Sequence, residues 1–173
     1  MILVAGATGN VGSELVARLA ADGVPVRATT RTPEKSGLPS GVDVVAGDFD
    51  KPETLPAALD GIDRVFVVPP GYGPEGPVQE RTLVAAARAA GVQHLVKLST
   101  SGVTHGATDP LSSGHRHGEQ VVQDSGLAWT ILRPGTQRTR TCSTGVDGRS
   151  ERGRPLRTRR YRFGTGGFSG SVR

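Results

Sequence analysis

One cysteine, Cys142, stands in a chain of 173 residues. A single thiol excludes a disulfide scaffold and a thiolate-rich zinc site. No apolar run reaches the ~18 residues that a membrane-spanning helix needs. The opening Met1-Ile2-Leu3-Val4 is strand-like, with no basic stretch before it and no cleavage pattern after it. No secretory leader is therefore expected, and a cytoplasmic protein is. What the chain has in quantity is glycine and proline, 25 and 12 residues, so its loops are many and tight. The length is that of one domain of roughly 100–200 residues.

The net charge of +5 hides two halves. Residues 1–135 hold 11 Lys and Arg against 14 Asp and Glu, whereas residues 136–173 hold ten Arg, no Lys and two acids. The body is mildly acidic, and the basic character belongs to the tail.

Through residue 135 the pattern alternates between strand and helix. Apolar runs at 2–5, 24–30, 42–46, 63–68, 92–98 and 127–132 predict six strands. Helices are predicted at 10–22, 52–60, 78–90 and 112–125. In the first of these, Val11, Leu15 and Leu19 recur at helical spacing beside Val16. Gly23, Gly61, Gly91 and Gly126 follow the helices, as stop signals do. Strands that read as continuous apolar runs are covered on both faces, which is the mark of a parallel sheet. The expected fold is α/β: a Rossmann doubly wound parallel sheet with helices on both faces.

Gly6-Ala7-Thr8-Gly9-Asn10-Val11-Gly12 lies between the first strand and the first helix, the context a dinucleotide-binding turn requires. Gly6 permits the tight turn, Gly9 lets a pyrophosphate approach the helix N-terminus, and Gly12 lets the helix sit close to the sheet. Thr8, Asn10 and Val11 belong to the same loop. A tight turn that binds nothing is the alternative. An NAD site usually ends its second strand with an acid that holds the ribose 2′-hydroxyl. Here that strand ends in Thr29-Thr30-Arg31. A guanidinium suits a 2′-phosphate, and Lys35 is close in sequence. NADP(H) is thus preferred and NAD(H) possible; a solvated Arg31 is the alternative.

Residues 1–135 resemble the NmrA-like group of atypical short-chain dehydrogenases/reductases. The resemblance rests on the glycine loop, Gly47-Asp48-Phe49-Asp50, Ala89-Ala90-Gly91-Val92, Val96-Lys97-Leu98-Ser99 and the run from Ser125 to Pro134. It implies that Asp48 and Phe49 sit at the adenine, that Val68 and Pro69 sit beside the adenosine, and that Lys97 and Ser99 lie near the nicotinamide. It also implies that His115, which opens His-x-x-x-Glu-Gln, stands where conventional members carry Tyr-x-x-x-Lys. A histidine there can protonate a carbonyl oxygen as hydride arrives; a polar residue on a helix's first turn is the alternative. The only tyrosines, Tyr72 and Tyr161, have no lysine four residues on. The conventional tyrosine acid is therefore not expected, and turnover would rest on Ser99, Lys97 or His115. No metal is expected. His115 and His117 would point apart on a helix, and no acid cluster joins them with His105 or Cys142.

The tail breaks the pattern. From Thr136 onward periodicity vanishes, and Arg, Gly, Ser and Thr dominate. Arginine without lysine is the product expected of GC-rich codons read out of frame. The expectation is a domain boundary at 135, with a disordered, frameshifted segment at 136–173 in place of the family's substrate-binding region. A basic arm for nucleic acid is the weaker alternative, because lysine and interleaved aromatics are missing. The functional expectation is an NAD(P)H-binding oxidoreductase-like protein of NmrA-like type, catalytically crippled as written because the part that would close over a substrate is missing; its reaction, if it is active, is hydride transfer to a quinone or similar carbonyl. The alternative is a non-catalytic NADP(H) sensor that binds a protein partner. No membrane partner is expected.

Overall fold

The computed structural model describes residues 1–69, 71–72 and 76–135. The expectations made for the arginine-rich segment, and the Cys142 position, lie outside these residues. Six strands form one sheet: β1 (Ile2–Ala5), β2 (Val26–Thr30), β3 (Asp43–Ala46), β4 (Arg64–Val67), β5 (His94–Leu98) and β6 (Ala128–Leu132). Their spatial order is β3-β2-β1-β4-β5-β6, and every neighbouring pair is parallel. The helices are α1 (Asn10–Ala21), α2 (Leu55–Leu59), α3 (Val78–Ala89), α4 (Ser101–Thr104) and α5 (Pro110–Gln123).

β1 is central because it is apolar on both sides. Ile2 pairs with Val26 on one neighbour and with Arg64 on the other. Leu3 and Ala5 face one core with Leu55, Leu59, Leu83, Ala87 and Val122, which α2, α3 and α5 supply. Val4 faces the other with Val16, Val26 and Ala28, under α1. Helices thus cover both faces, as the apolar strands required. The strand order reverses between β1 and β4, and this class of fold binds its ligands at that switch point, outside the carboxyl ends of the strands.

The structure differs from the expected elements in three places. The helix placed at 112–125 starts earlier, at Pro110, because the Asp109 side chain accepts from Ser112 N at 3.0 Å and caps it. The segment placed at 52–60 is a 3₁₀ turn (Pro52–Thr54) that continues into the short α2. The loop after Ser99 contains α4, capped by Thr100, whose short polar run carries no periodicity to read. No helix among the described residues is long and apolar enough to cross a membrane.

Candidate active site

The turn after β1 is built around glycine. Gly6 has φ +83°, a left-handed conformation that side chains disfavour. A Cβ at Gly12 would lie 2.1 Å from the Gly6 carbonyl oxygen, so only glycine lets α1 close on the turn. Gly9 is different: a Cβ there would meet only the Gly6 oxygen, at 3.5 Å. The chain's own packing does not demand glycine at this position; the close approach of a ligand would. Gly9 is also the N-cap of α1, has no side chain to cap it, and no acid stands in the first turn. The first backbone N–H groups of α1 are therefore free to receive an anion.

Beside this turn runs a crevice of about 260 Å³ lined by Gly6, Thr8, Thr29, Thr30, Arg31, Thr32, Gly47, Asp48, Phe49, Asp50 and Gln79. It brings together the glycine turn, the end of β2 and the Gly47-Asp48-Phe49-Asp50 run. Gln79 Nε2 donates to both Asp50 oxygens, at 2.9 and 3.0 Å, and ties α3 to the crevice wall. Lys35 does not join the crevice; it is exposed on a 3₁₀ turn, Pro33–Lys35. An uncapped helix N-terminus, room above Gly9 and an exposed guanidinium at the far end suit a dinucleotide with phosphate at both places.

A second cavity, of about 310 Å³, opens at the carboxyl ends of β5 and β6. Val68, Pro69, Leu98, Ser99, Leu111 and His115 are among its walls. Val68 and Pro69, expected beside the adenosine, are placed here with Ser99 and His115. On α5 the two imidazoles separate as expected, His115 buried and His117 exposed.

Beneath His115 lies a buried polar cluster. Lys97 is 0% exposed and Glu80 only 3%. Lys97 Nζ donates to Glu80 Oε1 at 2.5 Å and to Tyr72 Oη at 2.9 Å. Tyr72 Oη lies 3.3 Å from His115 Nδ1, and the two rings meet edge-on with centroids 5.0 Å apart. The chain has no Tyr-x-x-x-Lys motif, yet a tyrosine meets Lys97 in space. Tyr72, which lies between β4 and α3, meets a lysine 25 residues away in sequence at the end of β5. Two glycines of α5 leave space for this. A Cβ at Gly114 would lie 2.4 Å from the Tyr72 ring, and one at Gly118 would lie 2.1 Å from Glu80 Oε2. That Oε2 has no hydrogen-bond partner among the described residues.

A second ion pair closes the cluster. Ser99 Oγ donates to Glu119 Oε1 at 2.5 Å, and Arg133 holds the same carboxylate with Nε at 2.9 Å and an Nη at 2.5 Å. Burial pushes the Glu119 carboxyl up, but the bonds from Arg133 and Ser99 outweigh it and hold it below the usual carboxylate range. Burial, and then the Glu80 carboxylate, push the Tyr72 phenol above its ordinary value. Burial pulls the Lys97 ammonium down against the opposing pull of Glu80. Burial, and then the Lys97 charge, pull the His115 imidazole down to about 4. His115 is therefore neutral at physiological pH.

Tyr72, Glu80 and Arg133 carry no role in the sequence-level reading, and Glu119 only a place in its motif. Glu80 left a readable signal. It stands on the same face of α3 as Leu83, Val84 and Ala87, and a carboxylate on an apolar stripe requires a buried partner. Tyr72 left none, since it sits in a Gly/Pro loop without periodicity.

A parallel sheet in this order, with an uncapped helix N-terminus after a glycine turn at its switch point, defines a doubly wound dinucleotide-binding protein. Residues 6–159 match the NAD(P)H-binding family. The chain belongs to that family, within the NmrA-like group of atypical short-chain dehydrogenases/reductases. It is 47% identical over 145 residues to a (4-alkanoyl-5-oxo-2,5-dihydrofuran-3-yl)methyl phosphate reductase of Streptomyces griseus, covering 83% of this chain and 50% of that protein. It is 42% identical over 139 residues to an NAD(P)H azoreductase of Xenophilus azovorans, covering 78% and 48%. Among solved structures, the NADPH-dependent quinone oxidoreductase of Escherichia coli complexed with NADPH superposes with a TM-score of 0.67 at 29% identity, over 77% of this chain and 48% of that one. The Citrobacter sp. triphenylmethane reductase complexed with NADP(H) gives 0.65 at 30% identity, over 76% and 48%. The chain spans about half the length of these relatives.

Proposed function

We propose that this chain is the dinucleotide-binding half of an NADPH-dependent reductase that acts on a quinone or similar carbonyl acceptor. One observation carries this: of the three expected catalytic side chains, only His115 keeps a proton to give at the cavity. The single Ser99 hydroxyl hydrogen goes to Glu119. Lys97 is buried and spends its hydrogens on Glu80, Tyr72 and the Leu98 carbonyl. His115 borders the cavity, and its Nε2 has no partner among the described residues. Ser99, its hydrogen committed to Glu119, only borders the cavity, and His115 donates to the acceptor oxygen.

When bound, the dinucleotide supplies the hydride. The turn through Gly6, Gly9 and Gly12, with Thr8, Asn10 and Val11, would hold its pyrophosphate at the start of α1. Arg31, flanked by Thr30 and Thr32, would take the 2′-phosphate, and Asp48 and Phe49 would border the adenine. Relatives whose names record reduction of an azo group, a quinone and a furanone phosphate support a conjugated acceptor.

The test is oxidation of NADPH by a naphthoquinone, followed by loss of NADPH fluorescence. The wild-type chain should turn over slowly, because the groups proposed to act lie within residues 1–135 while the substrate-binding region of the longer relatives is missing. His115→Gln should lower kcat by about 10²- to 10⁴-fold while leaving NADPH affinity unchanged. Tight NADPH binding without turnover of any quinone would favour the sensing regulator instead.

A further inference from the structure

We propose that Lys97, Tyr72 and His115 form a proton relay that holds His115 as its Nε2–H tautomer and keeps the ring neutral as it donates, with Glu80 anchoring the buried end. The final donation to an acceptor rests on the reductase reading above; the hydrogen-bond chain does not.

The direction of each bond follows from what each group can do. A lysine ammonium only donates, so Lys97 Nζ gives a hydrogen to Tyr72 Oη at 2.9 Å. The Tyr72 hydrogen then needs an acceptor, and His115 Nδ1 stands 3.3 Å away. An Nδ1 that accepts carries no hydrogen, so the neutral ring is protonated at Nε2. The reverse arrangement would place two donors on Oη and turn the phenol hydrogen to the Glu80 carboxylate, the other group within its reach, and the tautomer of the ring distinguishes the two.

The charges around the ring agree with this. His115 faces Tyr72 from the β4–α3 connection, Lys97 and Ser99 from β5 and its end, and Glu119 from its own helix. Asp109 lies at the start of that helix. Glu80 balances Lys97, and Arg133 balances Glu119. The ammonium therefore lies behind the ring with its charge matched, and burial together with that ammonium keeps the imidazole neutral.

A neutral imidazole that gave up its Nε2 proton alone would become an imidazolate, a very poor outcome near pH 7. The relay removes that cost. As Nε2 gives its proton to the acceptor oxygen, Nδ1 takes the Tyr72 proton and Oη takes one from Lys97. The ring ends neutral as the Nδ1–H tautomer, the phenol is intact and Lys97 is an amine beside Glu80. After product leaves, water returns one proton to Nε2, and the chain shifts back through Oη to Lys97. One proton is consumed per turnover, and no other group changes charge. Tyr72, Lys97 and Glu80 are thus positioning residues behind the donor.

The test uses the full ¹⁵N-labelled chain. Histidine-ring ¹⁵N–¹H correlation spectra distinguish the two tautomers and the charged ring, and His115→Gln assigns the signal among four histidines. The wild type should show neutral, Nε2-protonated His115 at pH 7. In Tyr72→Phe the two tautomers should mix, and kcat with a naphthoquinone should fall at least about tenfold, with quinone KM and NADPH Kd unchanged. If Tyr72→Phe does not fold, 3-fluorotyrosine incorporated throughout should shift the His115 Nδ1 resonance, since it makes the phenol a stronger donor. An Nδ1-protonated or charged wild-type ring, or a spectrum unmoved by both changes, overturns the relay. Turnover that needs His115 but ignores Tyr72→Phe also overturns it and leaves the reductase reading intact. Loss of the tautomer in Tyr72→Phe, in a chain that never turns over, overturns only the reductase reading.

Discussion

Arg31 is the residue whose side chain we propose separates two cofactors. It is exposed at the end of β2, in the wall of the crevice that also holds Gly6, Thr8 and Asp48. The 2′-phosphate carries most of the charge by which NADP differs from NAD. A charge-assisted hydrogen bond to it is worth roughly 1.5–3 kcal/mol, or about ten- to a hundred-fold in affinity. Arg31→Ala should weaken NADPH by that factor and barely change NADH, as read by fluorescence titration. Arg31→Asp should invert the preference, because a carboxylate repels the phosphate and accepts from a 2′-hydroxyl. Equal losses for both cofactors would make Arg31 structural. The place of Arg31 in the crevice wall was legible in sequence because the end of the second strand is fixed by local spacing from the glycine turn. The position of Lys35 outside the crevice wall was not, because a 3₁₀ turn carries it away.

At the scale of elements, the close approach of α3 and α5 makes the buried cluster. Gly118 lies against the Glu80 carboxylate, and a methyl there would meet Oε2 at 2.1 Å and Oε1 at 2.9 Å. Alanine would raise helix propensity by up to about 1 kcal/mol. Overpacking costs typically ~1–3 kcal/mol and here also strains a buried ion pair, so the steric term wins. Gly118→Ala should therefore destabilise the protein in urea denaturation, against the trend of glycine-to-alanine changes in helices. Sequence periodicity located both helices but could not show that they touch. Glycines inside a helix read as weak points, and their use as space for another element's side chain depends on which helices the sheet brings side by side.

For the whole molecule, the neutral state of His115 couples stability to pH. Its pKa is about 4 in the folded chain against 6.5 for the ordinary imidazole. Between these values the unfolded chain binds the proton more readily, so stability is fully present above pH ~6.5 and falls as the pH drops toward ~4. Denaturant titrations at pH 7 and 5 should show this loss, and His115→Gln should reduce it in that window. The Glu119 carboxylate, held low by Arg133 and Ser99, loses its contribution at still lower pH. The arginine-rich segment makes a separate test. We propose that residues 136–173 stand in place of the family's substrate-binding region through a frameshift, which the encoding DNA read in the other frames would reveal as restored apolar periodicity. Cutting the chain after Gly135 should then leave NADPH affinity within a few-fold. A loss of folding would show that the segment packs on the sheet.

The alternation of strand and helix, the parallel sheet and the glycine turn were all determined by sequence alone. Each rests on short-range physics: two- and 3.6-residue periodicity, stop signals after helices, and a turn that only glycine can make at Gly6. The polar cluster was decided by tertiary structure. Lys97 lies 17 residues from Glu80 and 25 from Tyr72, and His115 lies 43 from Tyr72. No local rule links such distances. They close because β5 lies beside β4 in the sheet, and Gly114 and Gly118 let α5 settle onto Tyr72 and Glu80. A buried lysine then has no water to turn to, and the only partners that can satisfy it are those the fold has brought there.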